Sequence, residues 1–169
     1  QVKQGWLLVH SVYRPGLALV EQSKHEDAGG MVITIGLEGA SAYVTRDGEQ
    51  LRFRGGHTTV TAFRHTSGER RFEANQRAAQ LRVLVGEEAL ARYWPEGVAS
   101  LLPDGGARQL AHTATTAAST QHARALLRAT DPLAVHIGVL SLLADQLQAL
   151  RPAPAPVPRW SKADTLKLE

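Results

Sequence analysis

A chain of 169 residues, 43% hydrophobic and 21% charged, can enclose one core of ordinary domain size and lies far from the apolar-poor, highly charged composition of disorder. Its lack of cysteine excludes disulfide frameworks, thiolate metal sites, iron–sulfur clusters and cysteine nucleophiles. A formal charge of +3, with the arginines scattered among acids, is too small and too diffuse to mark a nucleic-acid surface.

No run of ~18 apolar residues stands out as a bilayer span. The opening Gln1-Val2-Lys3-Gln4-Gly5-Trp6 lacks the layout of a secretion signal, so a cytoplasmic location away from membranes is expected. The chain starts without Met and stops inside a polar segment. It therefore reads as a piece of a longer polypeptide, with Leu168-Glu169 either native or vector-derived.

From Trp6 to Val85 short β-prone runs alternate with turn signals. Residues 6–13 form an apolar, β-branched run closed by Arg14-Pro15-Gly16, and a second run covers 17–22. A polar loop follows through Lys24, His25, Glu26 and Asp27 to a turn at Gly29-Gly30. Residues 31–37 are the most β-prone stretch of the chain. Runs at 41–45 and 49–54 flank Asp47-Gly48, a pair suited to a tight hairpin. Gly55-Gly56 turns the chain into 57–64, Ser67-Gly68 turns it again into 70–73, and 79–85 closes the series. Seven or eight short strands with glycine-marked turns predict an antiparallel barrel or jelly roll.

Past Gly86 the periodicity becomes helical. Residues 87–94 carry acids in their first turn and Pro95 beyond the end, and 98–102 adds a turn before Pro103-Asp104-Gly105-Gly106. Helices are predicted over 121–129 and 133–150, with Asp131 as cap and Pro132 at the first helical position of the second. Residues 151–159 form a proline-rich spacer, and Trp160 to Glu169 opens a further helix capped by Ser161. The chain thus divides into a barrel with a short trailing helix (1–95), a helical segment (96–150), and a linker with the start of another unit (151–169).

This layout resembles the AraC/XylS family of transcription regulators. The resemblance is carried by Trp160-Ser161-Lys162-Ala163-Asp164-Thr165-Leu166-Lys167-Leu168 after the linker and by Gly68-Glu69-Arg70-Arg71-Phe72. Leu81-Arg82-Val83-Leu84-Val85 running into Glu87-Glu88-Ala89-Leu90, and Val139 to Leu147, also carry it. It extends from about Gly16 onward and is most similar to the pyochelin-type regulators of siderophore uptake. It implies a cupin-like barrel followed by a helical dimerisation segment, with a ferric siderophore as effector. Iron would then arrive wrapped by its chelator, with no metal held by the protein. It also implies a homodimer that reaches promoter DNA only through a separate helix-turn-helix half and activates siderophore synthesis and uptake genes. Three alternatives stay open: a sensor for a sugar or an aromatic acid, a cupin enzyme, and a dimerisation module with an empty barrel.

Cupins commonly hold metal through a His-x-His pair, and His10, His25, His57 and His65 form none. Nucleophile-elbow, Walker and dinucleotide-binding patterns are also missing from the sequence, so no catalytic or metal-ligating residue is expected. For ligand contact the first candidate is Trp6, whose ring can stack on a planar ligand, against the alternative of an ordinary core or rim residue. His10 shares its strand face, while Tyr13 and Arg14 end the strand. Arg52 and Arg54 alternate with Leu51 and Phe53. Facing inward they would demand an anion such as a chelate's carboxylate or phenolate; facing outward they are a soluble sheet surface. Arg70-Arg71 carries the same ambiguity, although the resemblance makes this patch a family feature and implies a structural role for it. Leu133, Ile137, Leu140, Leu143 and Leu147 recur at three- and four-residue steps and form either a dimer seam or a face packed on the barrel.

Overall fold

The structure, a computed structural model, describes residues 5–14, 16 and 19–151, with Leu19 and residues 23–28 described through their backbone alone. Pro15, Leu17 and Ala18, the proline-rich linker from Pro152 and the helix expected from Trp160 lie outside the described residues.

The strands β1 (Trp6–Tyr13), β2 (Leu19–Glu38), β3 (Ala40–Thr45), β4 (Gln50–Arg54), β5 (His57–Phe72) and β6 (Ala78–Gly86) precede two short helices, α1 (Glu87–Tyr93) and α2 (Pro95–Leu101). The chain then returns to the sheet as β7 (Gly106–Ala114) before α3 (Ala117–Arg128) and α4 (Pro132–Leu150). All pairings are antiparallel, in the order β1-β6-β2-β5-β3-β4, with β7 also on β5. The fold is mainly antiparallel β with C-terminal helices, a cupin-like barrel as the sequence leads one to expect.

Strands β2, β5 and β6 bury both faces, which is why Met31 to Ile35 reads as a nearly unbroken apolar run. On the outer face Met31, Ile33, Val60, Leu81, Val83 and Val85 pack beneath Leu90, Leu126, Val139 and Leu142 of the helices. On the inner face Val32 and Leu84 meet Tyr43, Leu51, Phe53, Phe63 and Ala107. The helical layer is pinned by Arg64, which pairs with Glu87 at 2.5 Å and donates to the Pro103 carbonyl. Arg151 closes the far end by donating to the Tyr93 carbonyl and lying 5.5 Å from the Trp94 ring. Between α3 and α4, Ser119 bonds Asp145 and Gln146.

Local signals placed two features well. The Asp47-Gly48 hairpin forms with Gly48 at φ 90 and its N–H on the Thr45 carbonyl. Asp131 caps α4 by accepting from the Ala134 N–H.

Four other expectations are corrected, three of them by the way the strands and helices pair. β2 runs straight through the predicted polar loop and the predicted Gly29-Gly30 turn, because β5 pairs with it on both sides of a register shift between His25 and Gly29. β5 likewise continues through Ser67-Gly68. Gly68 sits in mid-sheet against the Tyr43 ring and the Val44 carbonyl, where a Cβ has no room. The predicted all-helical segment 96–150 contains β7, and α3 begins at Ala117, ahead of Gln121. Finally, α4 is 19 residues long with an 18-residue window of mean hydropathy 1.5, and is by length and composition alone apolar enough to cross a bilayer. The expectation that no such run exists is corrected; in this fold Val139, Leu142, Leu143 and Leu147 of that helix are buried in the protein's own core.

Candidate functional site

The inner face of the barrel encloses a cavity of about 270 Å³. Leu7, Val9, Val32, Leu51, Phe53, Phe63 and Leu84 make its walls apolar, while Tyr43, Thr61, Thr66, Arg70 and Arg82 bring polar groups into it.

Arg70 reaches the interior through a change of phase in β5. Thr61 and Phe63 face the cavity, and so do Thr66 and Arg70. Odd and even positions exchange faces at His65, whose φ is 49, opposite the register shift in β2. A bulge of this kind re-aims the side chains beyond it. Arg70 then stands in a cross-strand row between Tyr43 on β3 and Glu21 on β2. Arg82 arrives by simple alternation on β6, between Val9 and Thr34.

The electrostatics of this interior are unusual. Burial pushes the Arg70 pKa down to about 10, and repulsion from Arg82 adds to the effect. Burial lowers the Arg82 pKa as well. Among the described residues neither guanidinium forms an ion pair with a carboxylate. Glu21 acts on both through space, but its carboxylate accepts a 2.9 Å hydrogen bond from the Tyr13 hydroxyl. Arg70 also lies over the Phe53 ring at 5.9 Å. Arg70 Nη1, Arg82 Nε, Tyr43 Oη and Thr61 Oγ1 are buried without a hydrogen-bond partner among the described residues. All four residues belong to the cavity lining, and unpaired buried polar atoms among them are a costly arrangement for an empty interior and a useful one for a polar guest.

Most of the residues expected to touch ligand lie elsewhere. Leu7 and Val9 of β1 line the cavity, so Trp6 and His10 belong to the opposite face. Trp6 stands edge-on to His136 of α4 with ring centroids 5.7 Å apart, and His10 is exposed. The expected facing of Trp6 and His10 is thus corrected. β1 is apolar on both faces, and the partner strand sets its phase. Tyr13 shares the phase of Val9 and stacks on Phe72 at 3.8 Å, while Arg14 is exposed. Arg52 and Arg54 are exposed and their neighbours Leu51 and Phe53 are buried, which is the outward alternative. Arg70 and Arg82 take the inward role considered for that pair. Arg82 carried a readable signal as the lone charge within Leu81 to Val85.

The apolar stripe of α4 divides. Leu143 and Leu147 are buried in the core, Leu140 is half-buried, and Leu133 and Ile137 are 64% and 56% exposed. A shallow groove of about 460 Å³ follows this side of the helix past Tyr93, Leu140 and Ala144 to Arg151. Elsewhere His57 and His112 stack at 5.2 Å, with His112 Nδ1 2.8 Å from Thr59 Oγ1. Among the described residues no three His, Asp or Glu side chains gather where they could hold a metal ion.

No family model matches the chain, and no curated protein does. Among solved structures it is similar to the AraC-like transcriptional activator CuxR, with 12% identity and a TM-score of 0.53 over 98% of this chain and 60% of that one. It is also similar to ToxT from Vibrio cholerae, with 6% identity and a TM-score of 0.50 over 95% of this chain and 63% of that one. YhhW from Escherichia coli aligns over 65% of this chain and 41% of its own at 12% identity, with a TM-score of 0.42. At such identities the likeness to CuxR and ToxT is one of fold, a barrel with trailing helices shared along nearly the whole chain. The chain spans less than two thirds of each of these proteins.

Proposed function

We propose that this chain is the ligand-sensing and dimerisation half of an AraC-type transcription regulator, cytoplasmic and non-enzymatic, whose effector enters the barrel. The observation that carries this reading is the cavity with its unsatisfied arginines, inside a fold shared nearly end to end with an AraC-like activator. Promoter DNA would be reached through a separate helix-turn-helix half. A second copy of the chain would cover Leu133, Ile137, Leu140 and Ala144, whose spacing is that of a helix–helix seam. Effector binding would act by favouring one arrangement of barrel and helices over another.

The sequence resemblance favours a ferric siderophore of the pyochelin type as the effector, whose carboxylate and phenolate oxygens suit the two arginines. The cavity volume of about 270 Å³ favours a second candidate, a lone aromatic or sugar acid. Packed to protein density, that space holds roughly ten to fifteen non-hydrogen atoms. A ferric chelate would insert only its acidic edge and leave its body outside the cavity.

Intrinsic tryptophan fluorescence tests the reading, because Trp6 and Trp94 pack with the core shared by barrel and helices. Saturable change with ferripyochelin, but not with iron-free pyochelin or an unrelated ferric siderophore, supports the siderophore sensor. A response to aromatic or sugar acids alone moves the effector to that class. Stoichiometric protein-bound metal with turnover would make the chain a cupin enzyme. Silence toward every compound leaves a dimerisation module.

A further inference from the structure

The geometry points to Arg70 and Arg82 as a paired receptor for the carboxylate of a small organic acid, with Tyr43 and Thr61 as neutral hydrogen-bond partners and the apolar wall holding the acid's body. This assignment rests on the barrel being the effector site and names the chemistry of that effector.

Two guanidiniums on different strands, β5 and β6, converge on one cavity without a carboxylate to pair with among the described residues. Buried cations are normally matched by an anion, since removal from water is otherwise uncompensated. A guanidinium also presents a planar fork that fits a carboxylate with two parallel hydrogen bonds. Among the described residues Arg70 Nη1 and Arg82 Nε are both buried donors lacking an acceptor, and the hydroxyls of Tyr43 and Thr61 are likewise without a partner, all four residues belonging to the lining of the same cavity. The acid nearest in the sheet, Glu21, faces Arg70 across the strand pair and is engaged by Tyr13. Its field cancels part of the double positive charge, which favours a singly charged carboxylate over a phosphate dianion. The remaining wall, with Leu51, Phe53, Phe63 and Leu84, suits an aromatic or aliphatic body.

Calorimetric titration and thermal shift of the whole chain with benzoate, salicylate, benzamide and phenyl phosphate provide the test. The carboxylates should bind roughly 10- to 100-fold more tightly than benzamide, the range a charge-assisted hydrogen bond supplies. Arg70→Met and Arg82→Met should each lose carboxylate binding by a similar factor, with unchanged circular dichroism and a melting temperature no lower than that of the parent. The outward-facing double variant Arg52→Gln, Arg54→Gln should bind as the parent does.

Equal affinity for benzoate and benzamide, preference for phenyl phosphate, or parental binding by both Met variants overturns the assignment and leaves the barrel as an effector site of another kind. No response to any acid or neutral compound at roughly 10 mM, tenfold above a weak millimolar Kd, overturns both the assignment and the barrel-effector reading.

Discussion

Arg82 is aimed inward by simple strand alternation and Arg70 by the bulge at His65, and among the described residues neither has the carboxylate partner that buried cations usually have. Because burial brings the Arg70 pKa down to about 10, the unfolded chain binds this proton more readily between that value and the higher value of a free guanidinium. Stability therefore rises with pH across that window, and at neutral pH the full cost of the buried charge is present. His112 has the same sign nearer neutrality. Burial lowers its pKa, and His57 and Arg54 lower it further. The unfolded chain then takes up the proton first as pH falls through about 6.5, and stability declines until the folded value is passed. A His112→Gln variant should flatten the fall in melting temperature between about pH 7.5 and about pH 5; an unchanged slope would remove His112 from the account. Residue identity told which side chains were unusual, but not which way they face. Arg82 is a lone charge inside an apolar run, a contrast that the sequence reading left unused, whereas Trp6, Leu7, Leu8 and Val9 offer no contrast between faces, and a one-residue change of phase exchanges Trp6 for Leu7.

At the scale of elements, α4 carries one buried and one exposed apolar face. Leu142 is fully buried in the barrel–helix core, so Leu142→Ala should cost about 2–5 kcal/mol in urea unfolding. Ile137 is 56% exposed, so Ile137→Glu should change the stability of the fold by no more than about 0.5 kcal/mol while converting a dimer to monomers in light scattering. A monomeric parent, or a dimeric Ile137→Glu, would contradict the proposed seam. Sheet continuity yields a further prediction. Gly68→Val would drive a side chain into the Tyr43 ring and the Val44 carbonyl, and should lower the melting temperature by several degrees or prevent folding; a parental melting temperature would refute the close approach. The Asp47-Gly48 hairpin and the Asp131-Pro132 helix start were legible because their signals are local. β7 was not, since Gly106 to Ala114 holds a single β-branched residue, Thr113, and is a strand only because β5 offers an open edge to pair with. Ser67-Gly68 misled for the mirror reason, as β2 and β3 pair across what reads as a turn.

At the scale of the molecule, one sheet separates two compartments: an outer core that fixes the helices and an inner cavity that holds the arginines. Strands β2, β5 and β6 contribute to both, so a guest between Arg70 and Arg82 presses on the same strands that carry α1, α3 and α4. That shared wall gives effector binding a physical route to the helical face. The barrel with trailing helices was legible from strand spacing and the change of period after Gly86, whereas the cavity was not, because it arises from pairings remote in sequence. The most direct test is nuclear magnetic resonance of the arginine Nε–Hε groups during titration with salicylate. The account predicts that the Arg70 and Arg82 signals move downfield and saturate together, while those of Arg52 and Arg54 stay fixed. Saturable changes confined to the outer arginines or to the α4 groove, with Arg70 and Arg82 unmoved, would contradict it.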